Sequence, residues 1–125
     1  MNTPSNLKYA KSDEWFDSSS GKVGISDYAQ SQLSDIVFVE IFVDEGESIE
    51  AGKAIASVES VKASAEIYAP ASGTVSAVNK DLPNKPELIN SDPYRAAWMI
   101  QLEGGSEGDL MDAAAYEKYC EEREH

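Results

Sequence analysis

The sequence predicts a mainly β domain built as a flattened barrel or sandwich, and three observations predict it. Segments rich in β-branched and aromatic residues, "DIVFVEIFV", "KAIASVES", "SAEIYA" and "TVSAVN", make four short strands between residues 36 and 79. Turn formers, Gly46, Pro70 and Gly73, punctuate that run. On either side of Lys62, "FVDEGESIEAGKAIASVE" and "AEIYAPASGTVSAVN" are loosely similar, each an apolar strand, a glycine-containing turn and another strand. Two halves packed together, with Lys62 at their junction, would produce that pattern.

The remaining elements follow in chain order. "LKYAKSDEWF" reads as a short first strand, and "DSSSG" (17–21) as the turn before "KVGI". Ser26 can N-cap a helix over "DYAQSQLSD", with Asp27 favourable in the first turn and Ala29 and Leu33 on one face. After the four central strands, "NKPELIN" places Pro86 and Glu87 in the first turn of a brief helix. "PYRAAWMIQL" reads as one more strand. The loop "EGGSEG" leads to a helix in "DLMDAAAYEKYCEEREH", with Asp109 as candidate N-cap and an acidic, fraying end.

Composition limits the function. At 125 residues the chain is one domain. Ten basic against twenty-three acidic side chains give a formal charge of −13. A phosphate backbone would be repelled, so nucleic acid is excluded and basic protein surfaces are favoured. One cysteine, Cys120, leaves no internal disulfide, and with His125 as the one histidine a zinc or Cys/His nucleophile site is not expected. Cys120 reads as part of one face of the terminal helix. No apolar run reaches the roughly 18 residues of a membrane span, and the start lacks a signal-peptide core. The expected location is cytoplasmic, or the mitochondrial matrix if a transit peptide was removed.

Lys62 sits in "VESVKASAEIYAPASGTV", between two strand segments, at the expected tip of a hairpin. By composition alone it is an ordinary solvated lysine that blunts a sheet edge. Its setting points further: Ser60, Val61, Ala63 and Ser64 are all short, so nothing bulky hinders an enzyme from closing over the amine. A carrier needs that arrangement, because an acylated lysine on an exposed turn can swing a prosthetic group between active sites while the barrel stays rigid. Acylation makes the ammonium a neutral amide, so the charge itself is dispensable.

The segments "LKYAKSDEW", "VGISDYAQSQLSDIVFVE", "VESVKASAEIYAPASGTV", "NKPELINSDPY" and "AAYEKYCEE" resemble, in order and spacing, the H protein of the glycine cleavage system, from about residue 7 to residue 122. That resemblance implies a hybrid barrel-sandwich of the biotinyl/lipoyl type with short helices and a C-terminal helix. Residues 1–125 then form a single lipoyl-carrier domain, with its core at about 7–104 and a helical extension at about 109–122. Lys62, in "ESVKA", matches the lysine that carries lipoic acid. Glu59, Ser60, Val61 and Ala63 form the context in which a lipoate ligase or lipoyl synthase meets it. Biotin acceptors usually present Met-Lys-Met and lipoyl domains of 2-oxo acid dehydrogenases Asp-Lys-Ala, so Val61 and Ala63 favour the H-type carrier.

The resemblance further implies a non-catalytic carrier. The decarboxylating P protein loads an aminomethyl group on the arm, the T protein passes its carbon to tetrahydrofolate, and the L protein reoxidises the dithiol. A pocket for the cationic aminomethyl group is implied at Ser12, Glu14 and Glu66, where a hydroxyl and carboxylates can accept hydrogen bonds from an ammonium. The chain departs from the family pattern at several places. Asp13-Glu14-Trp15 stands where His-Glu-Trp is usual, Ser34 where glycine is usual, and Glu66 where aspartate is common. These departures leave a second expectation open: an H-like lipoate-binding carrier of another pathway, such as heterodisulfide-reductase-like sulfur oxidation or lipoyl relay. A purely structural module with an unmodified Lys62 is a third reading.

Overall fold

A computed structural model describes residues 2–123; His125, weighed above as a nitrogen ligand, lies outside them. In chain order the strands are β1 (Lys8–Ala10), β2 (Glu14–Phe16), β3 (Lys22–Ile25), β4 (Ile36–Ile41), β5 (Ser48–Ile49), β6 (Ala54–Ser60), β7 (Ser64–Tyr68), β8 (Gly73–Val78), β9 (Ile100–Glu103) and β10 (Leu110–Met111). Among the described residues there are also three helices, α1 (Asp27–Leu33), α2 (Leu88–Ser91) and α3 (Ala113–Arg123), and a 3-10 turn at Leu82–Asn84. The strands form a seven-stranded sheet in the order β10-β1-β2-β3-β9-β8-β5 and a three-stranded sheet in the order β4-β6-β7. β5 and β8 pair in the large sheet while β6 and β7 pair in the small one. Both halves around Lys62 therefore cross between the sheets, which is the mainly β barrel-sandwich expected.

Alternation along the strands of the small sheet explains how it packs. Val39, Val58 and Ala65 are directly opposite one another, so they share the inward face, and both valines are buried. They join Val23, Ile25, Ile67 and Val75 from both sheets in one apolar core. Tyr116 and Cys120 of α3 are buried with Leu7, Tyr9, Trp15 and Tyr28 in a second cluster over β1 and β2. The Tyr9 and Tyr116 rings stack with centroids 4.6 Å apart. The terminal helix is thus fastened by the face that Cys120 occupies.

Several expectations need correction. "LKYAKSDEWF" is two strands: Asp13 donates its N–H to the Ala10 carbonyl at 2.9 Å and takes a φ of 82°, folding β2 back so that Tyr9 faces Trp15. The central run contains a further strand, β5, of two residues that pair with Gly73 and Thr74. Residues 93–97 are turns, because Asp92 accepts the Ala96 N–H on its carboxylate (3.2 Å) and the Ala97 N–H on its carbonyl (3.2 Å), and the strand begins only at Ile100. At the C-terminal helix the cap is Asp112, whose carboxylate accepts the Ala115 N–H at 2.8 Å; Asp109 precedes β10, which pairs with β1. Elsewhere Ser26 caps α1 as expected, accepting the Ala29 N–H at 3.1 Å. That helix stops at Leu33, two residues short of the expected end, and α2 begins at Leu88 with Glu87 in the cap position and Pro86 before it.

Candidate functional site

Lys62 lies at the tip of the β6–β7 hairpin, which one side chain organises. Ser60 donates its N–H to the Ala63 carbonyl at 2.7 Å, and its Oγ accepts from Lys62 N at 3.2 Å and Ala63 N at 3.0 Å. Val61 donates its N–H to the Asp35 carbonyl at 3.0 Å, tying the tip to the residue before β4. The backbone at the tip is therefore held from two sides. The Lys62 side chain is exposed, and among the described residues its ammonium makes no hydrogen bond or ion pair. Val61, 68% exposed, and Ala63 flank it without covering it.

Glu59 is exposed on the outward face of the small sheet, opposite Ser64 on one side and Phe38 on the other. Glu66 shares that face, opposite Ser57, and a depression of about 430 Å³ spans this region as far as Tyr68. The exposed large apolar side chains, Val37, Phe38, Phe42, Val61 and Tyr68, all belong to this sheet or its immediate ends. Sequence reasoning missed that clustering. Its signal was present in "DIVFVEIFV", whose apolar residues are too continuous for a strand with one wet face.

The implied pocket residues come together in part. Ser12 and Glu66 both border one crevice of about 150 Å³ with Asp13, Ile25 and Leu33, which Glu66 meets because β7 is the edge strand of the small sheet. Glu14 lies beneath it, fully buried. Its carboxylate receives the Ser12 hydroxyl on one oxygen and the Tyr68 N–H at 3.0 Å on the other, joining the β1–β2 turn to the end of β7. Burial pushes the Glu14 carboxyl up to about 7, against the opposing pull of the bonds from Ser12 and Tyr68. Glu14 thus acts from below, orienting Ser12, while Glu66 makes no hydrogen bond or ion pair among the described residues.

Asp13 is the crevice residue that sequence reasoning did not select. Its partners, Tyr116 and Arg123, lie 103 and 110 residues away along the chain, beyond the reach of any local pattern. Among the described residues no cluster of histidine, cysteine and carboxylates could hold a metal ion, and no helix is long and apolar enough to cross a membrane. What the arrangement supplies is one reachable amine on a rigid tip, with a small, mostly apolar crevice, edged by Ser12, Asp13 and Glu66, by the strand that leads away from it.

Comparison with known proteins gives one answer. Residues 7–123 match the family model described as "Glycine cleavage H-protein". The chain is 53% identical to the glycine cleavage system H protein of Deinococcus radiodurans over 115 residues, 92% of this chain and 94% of that one. It is 50% identical to the H protein of Acidobacterium capsulatum, covering 98% of this chain and 97% of the relative. The crystal structure of a glycine cleavage system H protein from Mycobacterium marinum superimposes with a TM-score of 0.84 at 31% identity, covering 98% of this chain and 99% of that one. These likenesses do not favour a carrier of sulfur oxidation or lipoyl relay. The chain belongs to the glycine cleavage H-protein family, and it is a non-catalytic carrier component of that system.

Proposed function

We propose that Lys62 is the attachment point of lipoate and that the β6–β7 hairpin carries it as a swinging arm. The observation that supports this most is the contrast at the tip, an exposed and unpartnered amine on a backbone pinned by Ser60 and by the Asp35 carbonyl. The residues present fit the group: Val61 and Ala63 leave Nζ open to a lipoate ligase or lipoyl synthase, and Glu59 offers such an enzyme a nearby carboxylate. Lipoate in amide linkage supplies a dithiolane, a two-electron disulfide/dithiol couple. In this reading the chain takes an aminomethyl group from the glycine decarboxylase P protein to the aminomethyltransferase T protein, and electrons to the dihydrolipoyl dehydrogenase L protein, in the cytoplasm.

The chain's own residues do the holding. Ser12 and Glu66 accept hydrogen bonds from an ammonium lodged in the crevice, and Ile25 and Leu33 keep water from one side of it. Glu14 fixes the Ser12 hydroxyl from below. Reconstitution tests the assignment: lipoylated protein, P protein, glycine and labelled bicarbonate are expected to exchange label into the glycine carboxyl, and the Lys62→Ala variant is expected to give none. Exchange that persists in Lys62→Ala, or fails with fully lipoylated protein, overturns it.

A further inference from the structure

The turn that carries Ser12 is held by α3 at three points. Tyr119 donates its hydroxyl to the Lys11 carbonyl at 3.1 Å, and Tyr116 donates its own to Asp13 Oδ1 at 2.8 Å. Arg123 places Nη1 2.6 Å from Asp13 Oδ1 and Nη2 3.0 Å from Oδ2, a bidentate fork. Its guanidinium carbon lies 4.8 Å from the Tyr28 ring centroid and 4.9 Å from that of Tyr119, so the fork is braced by two aromatic faces. Asp13 itself is committed from three directions. It also accepts the Ser26 N–H on its carbonyl at 2.9 Å, and its side chain is 16% exposed.

Two acidic residues, Asp13 and Glu66, are among those that line the crevice, and their carboxylates differ. Glu66 is exposed and unpartnered among the described residues, whereas Asp13 has a donor on each oxygen and a cation against both. We infer that Arg123 silences Asp13, so that Glu66 is the one lining carboxylate free to act on a cationic group, and that this pairing limits how tightly the crevice holds its cargo. The inference rests on the crevice reading given above. A carrier must surrender what it carries, and a second unpaired carboxylate beside the first would deepen the well from which an ammonium has to leave.

The test uses unmodified protein and methylammonium as the probe, followed by the NMR shifts of the Ser12 and Glu66 amides. Arg123→Gln is expected to tighten methylammonium binding about two- to fivefold, the range of one additional partly solvated charge pair. Arg123→Lys keeps the charge and is expected to stay at the wild-type affinity. Adding Asp13→Asn to Arg123→Gln is expected to abolish the gain. With aminomethyl-loaded lipoyl protein, Arg123→Gln is expected to slow spontaneous loss of the group by a similar factor. A merely structural Arg123 would move the other way, because loosening the turn weakens the crevice. Unchanged or weaker binding in Arg123→Gln, or a gain that survives Asp13→Asn, overturns the inference alone. Wild-type protein whose Ser12 and Glu66 amides ignore methylammonium overturns the crevice reading and the inference with it.

Discussion

Glu14→Gln tests the buried carboxylate between β2 and β7. Glu14 is 0% exposed, and its carboxyl is pushed from 4.5 to about 7, chiefly by burial. The unfolded chain therefore releases this proton near the ordinary value while the folded chain keeps it until about pH 7. Between those values the native state binds more protons, so stability is full below the ordinary value, falls as pH rises toward 7, and stays reduced above it. At roughly 1.4 kcal/mol per pH unit, the ionised carboxylate costs the fold on the order of 3 kcal/mol. Glutamine keeps both contacts, its oxygen accepting the Tyr68 N–H and its amide nitrogen donating to Ser12 Oγ in a reversal of the present Ser12 bond. Urea unfolding of both proteins from about pH 4.5 to 8.5 is expected to give equal stability at the acid end. At the alkaline end the variant is expected to gain on the order of 3 kcal/mol, with unchanged m-values. The difference between the two proteins removes the background of the acidic surface they share. A difference that does not vary with pH, or a variant less stable at pH 8, would refute the reasoning.

Two further substitutions probe the frame around the site. Gly24→Ala would place a Cβ 2.7 Å from Trp15 Nε1, and the ring cannot swing away because Nε1 donates to the Pro93 carbonyl at 2.9 Å, so thermal melts are expected to show a loss of about 1–3 kcal/mol. An unchanged melting temperature would show that the β2–β3 packing is looser than described. Ser34 holds φ 67° and ψ −150°, a conformation that essentially only glycine takes without strain. Ser34→Gly is expected to stabilise the protein by about 1–2 kcal/mol in urea unfolding, and destabilisation would contradict the strain.

Ser34 also shows what the sequence disclosed and what it withheld. The family pattern implied a glycine at that position, and the backbone there explains why, since the helix α1 ends in a conformation a Cβ resists. The α1 cap was legible because Ser26 acts within three residues of itself, and the Lys62 hairpin because its flanking strands, of seven and five residues, are long enough to read as strands. The Lys11–Asp13 turn was not legible: it contains neither glycine nor proline, and its positive φ falls on an aspartate held by contacts from α3. β5 escaped because two residues carry no period, and the Asp109 cap was misplaced because the choice between Asp109 and Asp112 depends on β10 pairing with β1. For the crevice, the residue types at Ser12, Glu14 and Glu66 were readable. Glu14's complete burial and Asp13's pairing with Arg123 depend on tertiary packing, and no local pattern encodes them.

The central claim is that Lys62 accepts the prosthetic group, and intact-mass measurement tests it most directly. After incubation with an active lipoate ligase, ATP and lipoate, the protein is expected to gain one lipoyl increment, and Lys62→Ala is expected to gain none. An unshifted wild-type mass, or an increment retained in Lys62→Ala, would contradict the account.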